Sequence, residues 1–359
     1  MRRSLCILLV GLAANVSQAG IMYYDQGPIL PGGNIQAVTD TGQAPTRLVI
    51  GRSEFGVDSM ISLQMTRFNH SGSNGQALLV CHAASGDNNL HLVYRPAANA
   101  GILSRPVTAL PYGVNLATSR IGQDDSFFSL TYRDYRDRAN GQYSIWRLNV
   151  SVDQALAPNY APPTSFGDPR LQLIVDSPSG GDPQLVQGHG HTWSPDGTRI
   201  AYNHMWRNVD GTYLSSLRVK SVVSGVPGDP SSDMDVRLYD RPGGNQYYEW
   251  SPVSDQILNQ FSDGPGIQAF YADRPGVRTV ILTMRTTETK TQVVEERALQ
   301  PRWRPDGLKI GVIYTKFTTT KKTGAVTGVK FPGVISPSGW PVTTLGSFQG
   351  GDHPLGWAP

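Results

Sequence analysis

Trp193-Ser194-Pro195-Asp196-Gly197-Thr198-Arg199-Ile200-Ala201-Tyr202 runs from an aromatic residue through a tight turn into an apolar stretch. Proline presets φ at the turn, aspartate bonds the backbone ahead of it, and glycine takes the positive φ that other residues resist. The stretch reads as a hairpin turn whose aromatic residue packs between neighbouring sheets. It recurs strongly at Trp303-Arg304-Pro305-Asp306-Gly307-Leu308-Lys309-Ile310-Gly311-Val312. A weaker copy is Trp250-Ser251-Pro252-Val253-Ser254-Asp255, and Trp357-Ala358-Pro359 is a fragment.

Spacing turns the motif into an architecture. Trp193, Trp250, Trp303 and Trp357 follow one another at nearly constant intervals, a period of roughly 55 residues and so the size of one propeller blade. Upstream, Phe68 precedes Asn74-Gly75 and the run Ala77 to Val80, and Ile121 precedes Asp124-Asp125 and the run Phe127 to Tyr132. These two anchors lie one such period apart. The longer interval from Ile121 to Trp193 leaves room for a Pro-rich insertion near Ala157 to Pro169. Units of this length with several strands each predict an all-β, six-bladed β-propeller of roughly four-stranded blades. Composition agrees: 39 Gly and 26 Pro bound short β-branched and aromatic runs such as Arg199 to Tyr202 and Lys309 to Tyr314, and no long stretch shows helical periodicity.

The ends complement each other. The interval from Gly20 to Phe68 is close to one unit lacking its first strand, and the Trp357 fragment supplies such a strand. The sixth blade is therefore expected from about residues 20–62 plus 352–359, with N- and C-terminal strands paired so that the ring has no free edge.

The Trp193 to Gly197 turn resembles the signature of the TolB-like propellers, built on PD40 or WD40-like repeats. The resemblance spans nearly all of residues 20–359 as an architecture, although the copies at Phe68 and Ile121 lack the Trp-Ser-Pro residues. It implies a six-bladed fold, an envelope or extracellular setting and a role in binding protein or glycan. TolB itself has a further domain before its propeller; here residues 20–68 are needed for the sixth blade, so that domain is not expected.

Arg2 and Arg3, the apolar stretch Leu5 to Ala14 and Ser17-Gln18-Ala19 form the pattern of a cleaved signal peptide, residues 1–19. The stretch is too short for a stable anchor, and Cys6 lies inside it rather than at the end where a lipid-bearing cysteine belongs. A soluble, monomeric, periplasmic or secreted domain of residues 20–359 is expected. Without the two leader arginines the 31 basic residues nearly balance the 28 acidic ones, so neither nucleic acid nor an anionic membrane is an expected partner. Cys81 alone remains, which excludes an intrachain disulfide, and no Cys-x-x-Cys-His attaches haem.

The candidate chemistry centres on Gly188-His189-Gly190-His191-Thr192-Trp193, with His204 beyond the next strand. Histidines two apart on a strand face one side and can share a metal. Aligned on the anchors, His189 matches Gln246, Leu299 and His353, while His191 matches Tyr248, Pro301 and Leu355. A channel mouth holding His189, His191, Gln246, Tyr248, Glu249 and His353 is the candidate ligand site. His189, His191 and His353 are the ligands it would offer a divalent metal. Backbone-bonded strand-end histidines are the competing reading. The His-x-His beside a Trp motif is also similar to the oligogalacturonate lyases, metal-dependent propellers.

Asp229, Asp233 and Asp235 lie in one loop with calcium-ligand chemistry but without EF-hand spacing, so a solvated loop competes. Arg133 to Arg138 alternates charge and aromatic, as an exposed loop does, and Lys316, Lys321 and Lys322 mark a basic hairpin with a protected edge. No Gly-x-Ser-x-Gly, phosphate loop or His-Glu-x-x-His is present, and the chain is not expected to have room for a hydrolase domain. A module that binds an envelope or extracellular protein, or a saccharide, is the first expectation; a metal-dependent, uronate-lyase-like enzyme is the alternative.

Overall fold

The computed structural model describes residues 21–26, 34–41, 47–50, 60–66, 70, 77–82, 89–97, 99–111, 114–122, 124–134, 142–176, 184–185, 191–207, 210–211, 213–223, 234–239, 245–263, 267–274, 277–345 and 354–358. The expected leader, His189, His353, Asp229 and Asp233 lie outside them.

The described strands form six antiparallel sheets. One holds β1 (Ile21–Gln26), β2 (Asn34–Thr39) and β3 (Arg47–Ile50). The next holds β4 (Met60–Met65), β5 (Ala77–His82), β6 (Leu90–Tyr94) and β7 (Leu103–Pro106). Then come β8 (Val114–Ile121), β9 (Phe128–Asp134), β10 (Gln142–Leu148) and β11 (Leu171–Asp176), with the short helix α1 (Val152–Leu156) before the last strand. The fourth has β12 (Gln184–Leu185), β13 (His191–Trp193), β14 (Arg199–Arg207), β15 (Tyr213–Ser221) and β16 (Met234–Tyr239). The fifth has β17 (Asn245–Trp250), β18 (Ile257–Asp263), β19 (Ile267–Arg274) and β20 (Val277–Thr283). The sixth has β21 (Arg285–Glu288), β22 (Gln292–Trp303), β23 (Ile310–Thr320), β24 (Val326–Ser336) and β25 (Gly339–Thr344). Finally β26 (Pro354–Ala358) returns to the first sheet, giving the order β26-β1-β2-β3. In that pairing Met22 faces Trp357 and Ile21 faces Ala358.

From Ile121 onward, every anchor residue found in the sequence lies at or next to the end of its strand, namely β8, β13, β17, β22 and β26. Phe68 lies outside the described residues, just past β4. Two sheets exceed four strands: β12 and β13 both pair with β14, and β21 adds to the side of β22 away from β23. The anchor-bearing strands also neighbour one another in cyclic order, β26 beside β4, β4 beside β8, β13 beside β17, β17 beside β22 and β22 beside β26. Arg120 of β8 donates through Nε to the His191 carbonyl of β13 at 3.2 Å, which completes the circuit.

The turn chemistry explains why the motif recurs. In the Trp193 copy, Asp196 Oδ1 accepts the Ser194 hydroxyl at 2.6 Å and the Thr198 N–H at 3.1 Å. These two bonds hold its carboxyl down at about 2. Gly197 stands at φ 66° and donates to the Ser194 carbonyl at 2.9 Å. The Trp303 copy repeats this with Leu308 N–H on Asp306 and Gly307 at φ 71°. At Ile121, Asp124 accepts the Ser126 N–H at 3.1 Å and Asp125 takes the glycine place at φ 57°. Aspartate tolerates that left-handed backbone better than most residues, so this copy works without Trp-Ser-Pro.

Packing lies between sheets. Trp193 meets Phe127 edge-on at 4.8 Å, in a cluster with Ile145, Ile174, Val175, Ile200 and Tyr202. Trp250 packs with Ala201, Leu217, Val219 and Ile257, Trp303 with Leu258, Ala298 and Ile310, and Trp357 with Met22, Tyr24, Val38 and Val334. Every one of these tryptophans is at most 3% exposed.

Candidate functional site

Residues just before four of the anchors link one unit to the next. Thr192 Oγ1 accepts the Trp250 N–H at 2.9 Å, and Glu249 Oε2 accepts the Trp303 N–H at 2.6 Å. Arg120 bonds the His191 carbonyl in the same way, and the Trp357 indole donates to the Arg302 carbonyl at 3.1 Å. The polar groups at this level of the anchor-bearing strands therefore brace one sheet against the next.

His191 sits in the same seam, fully buried. Its Nε2 bonds the Ser129 hydroxyl at 2.8 Å and its Nδ1 the Thr131 hydroxyl at 3.0 Å, both on β9. Burial pushes its pKa down to about 3, helped by the nearby Arg120 charge. The ring is thus neutral, with one nitrogen donating and the other accepting. A metal would have to displace one of these hydroxyls.

His189 and His353 lie outside the described residues. Gln246 is on β17 opposite Gln260, with its side chain outside the description. Tyr248 is buried in the Trp250 cluster, and Glu249 is bonded to the Trp303 N–H. Among the described residues, no three His, Cys, Asp or Glu side chains are close enough to share a metal. Of the expected calcium loop, only Asp235 is described, on β16 opposite Arg218.

Two charged clusters had no motif to announce them. His70 bonds Asp125 Oδ2 through Nε2 at 3.1 Å and Asp153 Oδ1 through Nδ1 at 2.9 Å. Burial pulls its pKa down, but the two carboxylates outweigh that and raise it above its ordinary value. Asp125 lies in the Ile121 turn and Asp153 in α1, which Ser151 and Gln154 cap reciprocally. The insertion after α1 also grips the preceding sheet: the Tyr160 hydroxyl donates to the Val107 carbonyl at 2.7 Å. At the seam between the sixth sheet and the first, Arg304 bonds both Asp40 and Asp306, and Lys309 Nζ reaches Asp40 at 3.0 Å. Asp40 follows β2, so this cluster ties the Trp303 turn to the composite sheet.

A closed circuit of antiparallel sheets, cross-braced at the anchor-bearing strands, defines an all-β protein of propeller type. No family model and no curated protein matches the chain. Solved structures do: TolB from Acinetobacter baumannii is similar over 95% of this chain and 67% of that one, with 15% identity and a TM-score of 0.53. A puromycin hydrolase is similar over 94% of this chain at 12% identity and a TM-score of 0.52. The chain spans about half the length of that hydrolase, 55%. At such identities the likeness is one of fold. Among the described residues, no helix is long and apolar enough to cross a membrane.

Proposed function

We propose that the chain is an exported, six-bladed propeller that serves as a binding module for an envelope or extracellular protein or a glycan, in the manner of TolB-like propellers. The observation that carries this reading is the use made of the polar side chains nearest the expected channel. Thr192, Glu249 and His191 are engaged in bonds between sheets, so they build a rigid frame rather than an open constellation of reactive groups. What the chain shares with the puromycin hydrolase is only the half of that protein it matches. Export rests on the leader pattern of residues 1–19, and the composite blade on the β26–β1 pairing.

The test is retention on immobilised chain, lacking residues 1–19, of envelope extract and arrayed glycans, alongside metal analysis. One protein or glycan retained in stoichiometric amount, with chelator present, is the expected result. A stoichiometric divalent metal lost in His189→Ala, together with cleavage of uronate polymers, would replace this reading with the metal-dependent polysaccharide enzyme.

A further inference from the structure

The sheet of β21 to β25 runs well beyond its buried part. Ala298 and Tyr314 are buried, but residues 285–297 and 315–331 range from half-buried to exposed, Thr315 excepted, and remain paired as four strands. Charge is concentrated there. These two segments hold seven basic residues, including Lys290, Lys316, Lys321, Lys322 and Lys330, against Glu288, Glu295 and Glu296, a net +4. The whole chain has 31 basic and 28 acidic residues, so everything else holds 24 against 25. The extension carries the entire positive excess. Its glutamates are also engaged: Glu288 with Lys321, Glu295 with Arg297, and Glu296 with the Tyr314 hydroxyl.

Among the described residues, one edge of this extension has no partner strand. β25 joins β24 only from Gly333 onward, so Val326 to Phe331 pair with β23 alone among the described strands. The Ala325 carbonyl accepts the Thr320 N–H at 2.9 Å and so points toward β23. The Pro332 carbonyl accepts the Leu345 N–H at 2.8 Å and so points away. Main-chain direction alternates along an antiparallel strand. Val326 and Gly328 therefore turn their N–H and C=O groups outward, like Pro332. Val326 is 62% exposed, and Gly328 leaves the face flat, with the Phe317 ring lying where a Cβ would come within 2.9 Å.

From this edge and its charge we propose that β24 takes up an extended acidic segment of a partner protein as an added strand. This deepens the binding-module reading and rests on it. Main-chain pairing to Val326 and Gly328 supplies the docking, and the surrounding lysines supply attraction and register. The same lysines act against a second copy of the chain, because edge-to-edge pairing would set one +4 extension beside another. On the opposite edge, β21 ends in Glu288, so an acidic strand favours β24.

The probe is a fluorescein-labelled heptapeptide of alternating glutamate and valine, followed by anisotropy with the full chain lacking residues 1–19. Binding is expected to weaken with salt, and to fall at least tenfold when alternate peptide amides on one edge are N-methylated. Val326→Pro removes one outward N–H without touching the β23 ladder and is expected to weaken binding similarly. Lys330→Glu lowers affinity for the acidic peptide only. Equal binding of the N-methylated peptide, or of a lysine-for-glutamate peptide, overturns strand addition. If Val326→Pro melts early, the N-methylated peptide decides alone, since it leaves the protein intact. A retained envelope partner that Val326→Pro still holds sinks this inference and leaves the binding module standing; no retained partner of any kind sinks the module itself.

Discussion

Gly311→Ala tests whether the composite sheet sits against its neighbour. Gly311 lies on β23 between Arg302 and Val334. A Cβ there would come within 2.6 Å of the Met22 sulfur and 2.8 Å of the Trp357 ring. Those two residues face each other across β1 and β26 and are 0% and 3% exposed, so neither has room to retreat. Overpacking of this kind costs about 1–3 kcal/mol. Removing the glycine's freedom in the unfolded chain returns roughly 0.4–1 kcal/mol, leaving a net loss of up to about 2.6 kcal/mol, centred on about 1.3 kcal/mol. Trp357→Phe deletes the part of the ring that the new methyl would strike. The double variant should then cost less than the two single variants together, by at least about 0.5 kcal/mol. Urea unfolding followed by far-UV circular dichroism measures all three. A Gly311→Ala protein as stable as its parent, or strictly additive costs, would mean that β26 does not close the first sheet against β23.

His191 makes stability fall in acid. The folded pKa of about 3 lies below the unfolded value near 6.5, so the unfolded chain gains a proton that the folded one refuses. Stability should drop between pH 6.5 and 3 by up to about 1.4 kcal/mol per pH unit, and urea midpoints in His191→Gln should show a shallower slope. His70 has the opposite sign. Its raised pKa contributes stability that is present below pH 6.5 and fades as pH rises through the folded value. His70→Gln should therefore cost more at pH 5.5 than at pH 8.5, and Asp125→Asn, which tolerates the left-handed backbone but leaves Asp153 on the ring, should shrink that difference. Arg304→Ala leaves the buried Asp40 carboxylate with Lys309 alone and should cost about 3–5 kcal/mol by denaturant titration; a loss below about 1 kcal/mol would show the cluster to be open to solvent.

Much of the fold could be read from local chemistry. The Pro-Asp-Gly turns and the tryptophan spacing mark where units begin, because each turn is made within a few residues. Even the Ile121 copy was visible through Asp124-Asp125 and the run after it. What lay opposite each residue was not visible. Strand alternation placed His191 beside His189, but Ser129 and Thr131, which occupy its ring nitrogens, lie far earlier in the chain on another sheet. His70, Asp125 and Asp153 belong to no common motif and meet only because two units pack together. The β21–β24 extension was hidden for a different reason. Its added length is offset within a unit of ordinary spacing, so the interval from Trp303 to Trp357 gave no sign of it. The basic hairpin noted at Lys316, Lys321 and Lys322 was its only trace.

The β1–β26 pairing has a consequence for the order of events during biosynthesis. Its two strands are separated by the whole of the intervening chain, from Gln26 to Pro354. At roughly 5–20 residues per second, the partner of β1 emerges on the order of half a minute after β1 itself. Until then β1 presents an open inner edge, and the other sheets have no circuit to join. Such distant pairing makes the last step slow and leaves that edge exposed to wrong partners. Until β26 is made the ring stays an unclosed, threadable polymer, which is the state the proposed export would need.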